Sequence, residues 1–171
     1  MASVTISKGN PDIREFTGST VDDLQQWIDM VNDEGAGLHI GNVSYEINDT
    51  VPVGNIISLP DSVVTGGSIN IVVSRGKNIW LTEYKNPETS EIIATWDDMV
   101  INPGNYNEET VRGYCADAGV SFVVSYAKST TIEPNHMISI KRSDNEPLCI
   151  NSYIAEDVVI QIVICEEKVS E

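Results

Sequence analysis

Apolar and polar residues alternate along much of the chain, a pattern typical of half-buried β-strands. Residues 4–8 and 13–16 alternate on either side of a turn-forming run at 9–12. This arrangement predicts an N-terminal β-hairpin. The other strand-like runs of the first half lie at 38–40, 43–47, 56–57 and 68–74.

One segment of the first half has a helical period instead. Thr20 is followed by Asp23 at the spacing of a capping box, which predicts that a helix begins there. The polar run at 32–35 is expected to end it. We expect its apolar face to be buried against the sheet of the same half through Leu24, Trp27, Ile28 and Val31.

The same order of elements recurs in the second half. Residues 79–84 and 91–96 predict a hairpin around the Asn-Pro turn at 85–88, and Asn107 can cap a second helix. The apolar face of that helix holds Val111, Tyr114, Cys115 and Ala118. Strand-like runs follow at 121–126, 137–140 and 158–165. The recurrence predicts two domains, residues 1–77 and 78–171.

The order of hairpin, helix and further strands resembles the β-grasp, or ubiquitin-like, fold. The first half is most similar to the sulfur-carrier branch, through Val4-Thr-Ile-Ser, the capped helix from Thr20, and Thr65-Gly-Gly-Ser-Ile-Asn-Ile-Val-Val. This resemblance covers residues 3–77. It implies an α+β, β-rich fold of two small β-grasp-like modules, each with one helix packed on a mixed sheet.

The sequence departs from that family at the residues that do its chemistry. Ubiquitin-like modifiers and sulfur carriers act through a C-terminal Gly-Gly carboxylate, whereas this sequence ends in Glu166-Glu-Lys-Val-Ser-Glu. Gly66-Gly67 is internal and is predicted to form a turn. A modifier or sulfur carrier is therefore an alternative function, and it would require cleavage after Gly76.

The charge of the chain restricts its partners. Its 171 residues include 10 Lys and Arg against 26 Asp and Glu, which gives a formal charge of −16. Direct binding to nucleic acid or to an anionic membrane is therefore disfavoured. An acidic inhibitor that mimics nucleic acid is a second alternative. The N-terminal residues show no signal-peptide pattern, so we expect an intracellular protein.

Residues suited to catalysis are few and scattered. His39 lies in a strand-like segment and His136 in a turn, and neither belongs to a known catalytic motif. Cys115, Cys149 and Cys165 are widely spaced and form no metal-ligand motif. We therefore predict no catalytic residues, no cofactor-binding residues and no metal ligands, and we expect that the protein is not an enzyme.

The three tryptophans are candidates for the core or for recognition. Trp27 falls on the apolar face of the first predicted helix and is expected to lie in the core. Trp80 and Trp96 come from the two arms of the second predicted hairpin. They could be core residues or an exposed recognition pair, and the core is favoured.

These observations favour a non-catalytic structural or protein-interaction protein. Other protein subunits are the expected partners, bound through sheet edges and the acidic surface. Within this class we favour an accessory subunit of a virus (phage) particle or of another large assembly. The expected location is intracellular or in the virion.

Overall fold

The computed structural model describes residues 13–170. Residue contacts divide the chain into two compact units, Met1–Lys77 and Asn78–Glu171. The fold class is α+β, as predicted, and every sheet in the described residues takes its strands from one unit. The predicted strand at 4–8 lies outside the described residues.

The first unit packs one helix on a three-stranded sheet. The helix is α1 (Val21–Asp33), and the strands are β1 (His39–Glu46), β2 (Ile56–Ser58) and β3 (Ser68–Ser74). The central strand β3 pairs with β1 in parallel and with β2 in antiparallel orientation. The sheet is therefore mixed, as predicted.

The start of α1 confirms the predicted capping box. Thr20 Oγ1 accepts the backbone N–H of Asp23 at 3.1 Å, and the backbone N–H of Thr20 donates to the Asp23 carboxylate at 3.1 Å. Leu24 and Ile28 are fully buried in the core. Trp27 is only half-buried and packs against Phe16, with 5.4 Å between the ring centroids.

The predicted strand at 13–16 is wrong. Arg14–Phe16 is a short 3-10 helix, because the backbone N–H of Phe16 donates to the Ile13 carbonyl at 3.1 Å. The buried Ile13 side chain anchors this turn in the core. A short run in which apolar and polar residues alternate can thus form a 3-10 turn. Its backbone groups then hydrogen-bond within the turn, and one apolar side chain is buried in the core.

The second unit repeats this arrangement and adds elements to it. Its helix α3 (Glu108–Ala118) precedes β7 (Ser121–Ser129), β8 (Met137–Arg142) and β10 (Val159–Lys168). The central strand β10 is parallel to β7 and antiparallel to β8, as β3 is to β1 and β2. The added elements are β4 (Asn78–Trp80), β5 (Tyr84–Lys85), β6 (Ile92–Ala94), α2 (Trp96–Ile101) and β9 (Tyr153–Ala155).

The second predicted hairpin is present in a shorter form. Strands β5 and β6 pair with each other, but the strand predicted to continue to Trp96 ends at Ala94. Helix α2 begins at Trp96 because Thr95 caps it, accepting the backbone N–H of Asp98 on its side chain at 3.2 Å. The Thr95–Asp98 spacing resembles that of Thr20 and Asp23 and would have indicated this helix.

Trp80 and Trp96, for which the sequence left a core role and a recognition role open, have different environments. Trp96 is fully buried and stacks on Tyr114, with 4.3 Å between the ring centroids, so the core prediction is confirmed for it. For Trp80 the core prediction is wrong, because its side chain is 41% exposed. Its cross-strand neighbour is Tyr153 on β9, not Trp96.

The end of the central strand joins the loop before β2 in the first unit. Gly54 donates its backbone N–H to the Ser74 carbonyl at 2.9 Å, and Ser74 donates to the Asn55 carbonyl at 2.8 Å. The Ser74 hydroxyl donates to the Val51 carbonyl at 2.6 Å. Gly54 takes a positive φ of 83°, which lets this turn approach the strand.

The second unit has the same hydrogen-bond scheme with other residues. Asn135 donates to the Cys165 carbonyl and Cys165 donates to the His136 carbonyl, both at 2.8 Å. The Cys165 thiol donates to the Ile132 carbonyl at 3.2 Å. Asn135 has a positive φ of 64°, as Gly54 does. Cys165 is therefore the counterpart of Ser74, and residues 68–74 align with residues 159–165 without a gap.

These equivalences align residues 43–58 with 124–139 without a gap. Identical residues occur at the pairs Val43 and Val124, Ser44 and Ser125, Tyr45 and Tyr126, Thr50 and Thr131, Ile57 and Ile138, and Ser58 and Ser139. The Val-Ser-Tyr runs at 43–45 and 124–126 are the sequence signal of the repeat. They are a better guide than the closing strands, where isoleucine and valine are common in any fold.

Candidate functional site

An open groove of about 400 Å³ lies on the second unit. It forms where α3 begins, beside the turn before β8 and the last third of β10. Its lining combines two carboxylates, a phenol and an apolar wall, contributed by Glu108, Tyr126, Pro134, Asn135, Ile164, Cys165 and Glu166.

Glu108 holds one side of the groove through two side-chain partners. Its Oε1 accepts the Tyr126 hydroxyl at 2.8 Å and Arg112 Nε at 2.7 Å. These hydrogen bonds, that from Tyr126 first and that from Arg112 second, lower the pKa of Glu108. The carboxylate is therefore ionised at neutral pH and ties the first turn of α3 to β7.

Arg112 also contacts a second residue of β7. Its guanidinium carbon lies 5.8 Å from the ring centroid of Phe122 on β7, a distance compatible with a cation–π contact. The hydrogen bond to Glu108 is the main cause that raises the pKa of Arg112. The charge of Glu108 is thus compensated within the protein.

The backbone around the groove is already hydrogen-bonded. Glu108 donates its N–H to the Asn135 carbonyl at 3.0 Å, and Asn135 donates its own N–H to the Cys165 carbonyl. The groups that remain for a ligand are side chains. Tyr126 is 54% exposed, Glu166 and Pro134 are exposed, and Pro134 forms the apolar wall because Ile164 is buried.

The equivalent position of the first unit has different chemistry. Val21 stands where Glu108 does, and Arg75 stands where Glu166 does. The tyrosine is retained, since Tyr45 corresponds to Tyr126 and is 64% exposed. The tyrosine therefore belongs to the shared scaffold, and the carboxylates are specific to the second unit.

The histidines and cysteines singled out in the sequence form no common site. His39 is exposed at the start of β1, and His136 lies in the turn before β8 with Nδ1 3.0 Å from the Pro134 carbonyl oxygen. Cys115 and Cys165 are buried, Cys149 is exposed, and all are free thiols. Burial raises the pKa of Cys115 to about 12, so this thiol is not a nucleophile at neutral pH.

The described part of the chain was also compared with the requirements of a metal cluster and of a membrane-spanning helix. Within residues 13–170 no three His, Cys, Asp or Glu side chains are placed to hold a metal ion. In the same range no helix is long and apolar enough to cross a bilayer. The predictions of no catalytic, cofactor-binding or metal-ligating residues stay predictions.

The groove was not predicted from the sequence because Glu108 has a simpler explanation. A glutamate in the first turn of a helix is favoured by the helix dipole, so Glu108 needs no ligand to account for it. The repeated Val-Ser-Tyr run would have singled out Tyr126. The contact between Glu108 and Tyr126 depends on how α3 packs against β7, which no local pattern reveals.

Comparison with known proteins gives one sequence relative. No protein-family model matches the chain. Over 147 residues the chain is 25% identical to a probable serine/threonine-protein kinase of Clostridium perfringens (strain 13 / Type A), a match that covers 80% of this chain. The chain spans only 21% of the length of that kinase.

Two solved structures from Staphylococcus aureus are also similar. One is the three-PASTA-domain of a Ser/Thr kinase, 15% identical, with a TM-score of 0.36 over 90% of this chain and 66% of that one. The other is the entire extracellular region of the Ser/Thr kinase PrkC, 15% identical, with a TM-score of 0.35 over 95% of this chain and 50% of that one.

The sheet topology shows that the resemblance to β-grasp and ubiquitin-like proteins is wrong. In the described residues the strand parallel to each central strand follows the helix, and neither helix-bearing sheet contains a hairpin that precedes it. The β5–β6 hairpin forms a separate sheet. The expectation of a virus-particle subunit is also wrong, since the sequence relative is described as a kinase.

Proposed function

We propose that the chain is a non-catalytic pair of PASTA-type binding modules that forms one segment of a larger, kinase-like protein. The second unit binds a ligand in its groove, and the first unit offers a chemically different surface at the same position. Protein partners remain the expected class, and the intracellular location stays a prediction of the sequence.

The observation that carries this proposal is the repeated unit of one helix and three strands. The match to the probable kinase covers most of this chain but about a fifth of that protein, which supports a role as one segment among several. Tandem copies of a small scaffold with divergent surfaces are typical of binding modules.

The groove chemistry favours a ligand with a polar end and an apolar end. Glu166 and the Tyr126 hydroxyl can accept hydrogen bonds, and the exposed Pro134 offers an apolar wall. Glu108 is already paired with Arg112 and holds Tyr126 in place. Short peptides with a lysine side chain next to an apolar side chain therefore fit the groove.

The test is a titration of the ¹⁵N-labelled full chain with a panel of tripeptides, followed by amide NMR spectra. The panel holds Lys-Leu-Gly, Gly-Leu-Gly and Glu-Leu-Gly. We expect Lys-Leu-Gly to shift the amides of Tyr126, Asn135 and Glu166 at the lowest concentrations. A Glu166→Gln variant should weaken this binding about tenfold, the effect of one lost charged contact.

The matched control is the first unit. Tyr45→Phe changes the equivalent tyrosine, where Val21 and Arg75 replace Glu108 and Glu166, and it should leave tripeptide binding unchanged. Binding that persists unchanged in Glu166→Gln, or shifts that avoid the groove, would contradict the proposal. Conversion of any tripeptide into a product would show that the chain is an enzyme.

A further inference from the structure

Two aromatic side chains project from the ribbon formed by β4 and β9. Trp80 and Tyr153 are directly opposite in the antiparallel register, with 4.4 Å between ring centroids and 59° between ring planes. They are 41% and 56% exposed. The neighbouring pair Ile79 and Ile154 points the other way and is buried.

The buried isoleucines already attach the ribbon to the core of the second unit. Alternation along each strand then puts the aromatic pair on the outer face, where the rings add little to the core. In the described residues of the first unit, Ile13 donates its backbone N–H to the Asp61 carbonyl at 3.4 Å, as Leu81 does to the Ser152 carbonyl at 2.9 Å. Ser62 therefore stands where Tyr153 does, and this aromatic side chain is specific to the second unit.

The second unit as a whole carries a negative formal charge. Residues 78–171 hold six Lys and Arg against sixteen Asp and Glu, a formal balance of −10. Five of the six basic residues are engaged in ion pairs within the unit: Lys85 with Glu83, Arg112 with Glu108, Lys128 with Glu167, Arg142 with Asp144, and Lys168 with Glu133. The unit therefore attracts cations and repels anions.

Aromatic faces carry negative potential and bind cations, tryptophan most strongly. We propose that Trp80 and Tyr153 are the docking point for an arginine or lysine side chain from an extended basic segment of another protein. The negative field of the unit brings this segment in, and the indole face holds its charged group. This surface is separate from the groove and does not depend on the proposed function.

The experiment uses the full chain labelled with ¹⁵N and a hexa-arginine peptide as the probe. Three tryptophans give three indole N–H signals, and the Trp80→Phe variant identifies that of Trp80. We expect hexa-arginine to shift the Trp80 signal and to leave that of the buried Trp96 in place. The affinity should fall at least fivefold from about 50 mM to about 500 mM NaCl, because screening weakens steering and contact.

Variants separate the aromatic contact from general attraction. Trp80→Ala and Tyr153→Ala should each weaken hexa-arginine binding about twofold to fivefold, the range of an exposed cation–π contact. Tyr45→Ala removes an equally exposed tyrosine from the first unit and should have no effect. Near-ultraviolet circular dichroism checks that each variant keeps its fold. If Trp80→Ala does not fold, Trp80→Phe takes its place, because it keeps an aromatic ring at this position.

Three results would overturn the proposal. The first is an equal shift of the Trp80 signal by hexaproline or hexaglutamate. The second is hexa-arginine binding that leaves the Trp80 signal unmoved, and the third is unchanged affinity in both alanine variants. Glu166→Gln should leave hexa-arginine binding intact within twofold, so failure of the groove and failure of this surface give different results.

Discussion

The side chains of Ser74 and Cys165 each donate a hydrogen bond to the loop before the second strand of the sheet in their own unit. The Ser74 hydroxyl donates to the Val51 carbonyl and also accepts the backbone N–H of Gly76 at 3.0 Å. The Cys165 thiol makes the bond that corresponds to the first of these. A donor at this position therefore holds the loop before the second strand in both units.

Ser74→Ala should lower the free energy of unfolding by about 1–3 kcal/mol, because it leaves a buried carbonyl and a buried N–H without their partner. Ser74→Cys and Cys165→Ser exchange the hydroxyl and thiol donors. Each should lower the free energy of unfolding by about 1 kcal/mol or less, because a donor is kept. Urea unfolding at neutral pH measures all three. An alanine variant as stable as the cysteine variant would contradict this role for the donor.

The three thiols should differ in reactivity. Cys149 is exposed, whereas Cys115 and Cys165 are buried and the pKa of Cys115 is raised to about 12. An aromatic disulfide reagent at pH 8 should therefore label one thiol in the native chain and three in denaturant. Mass spectrometry should place the native label on Cys149, and rapid labelling of Cys115 would show that the core opens.

At the level of elements, the first turn of α3 is tied to β7 through Glu108 and Tyr126. Hydrogen bonds lower the pKa of Glu108 from its ordinary value of 4.5. A carboxyl group with a lowered pKa in the folded state stabilises the fold above that ordinary value. Its contribution is lost as the pH falls through the lowered pKa.

Tyr126→Phe should therefore raise the pKa of Glu108 and destabilise the chain by about 1 kcal/mol or less at pH 7, since the pair is partly exposed. At pH 2, where the carboxyl group is protonated, the variant and the original chain should differ less. Carboxyl NMR titration and urea unfolding at both pH values measure this. Tyr45→Phe is the control, and an identical loss there would assign the effect to the tyrosine scaffold.

The elements that the sequence predicts best are those whose signals are local. The cap at Thr20, the cap at Asn107 and the apolar alternation of β3 and β10 depend on neighbouring residues, and the structure confirms them. The strand expected at 13–16 was wrong because alternation over four residues also fits a 3-10 turn with one buried residue.

Sheet partners were harder to predict because they depend on residues far apart in the chain. The short strand β9 pairs with β4 across more than seventy residues, so neither the exposed Trp80 nor its neighbour Tyr153 could be inferred from the alternation. The same limit led to the β-grasp resemblance. The order of the helices and the strands after them was predicted in outline. The strand that pairs in parallel with each central strand was not predicted.

At the scale of the whole molecule, each unit has a hydrophobic core of its own. We expect residues 78–171 to fold when produced alone, with a dispersed amide NMR spectrum and one cooperative thermal transition. The Trp96→Ala variant of this fragment should lose about 3–5 kcal/mol of stability, because the indole is fully buried. A fragment without dispersed signals would show that the second unit requires the first.

The connection before the closing strand has a practical consequence for protein engineering. The second unit accommodates residues 143–158, including β9, between β8 and β10, where the first unit has only residues 59–67. The scaffold therefore tolerates extra chain at this point without a change in sheet order. The Gly67-to-Val64 and Val158-to-Ala155 hydrogen bonds match the ends of the two connections, so the extra chain enters at residues 59–60 of the first unit. An epitope or a sensor peptide could be displayed there, beside the exposed Pro60, while the helix and sheet stay unaltered.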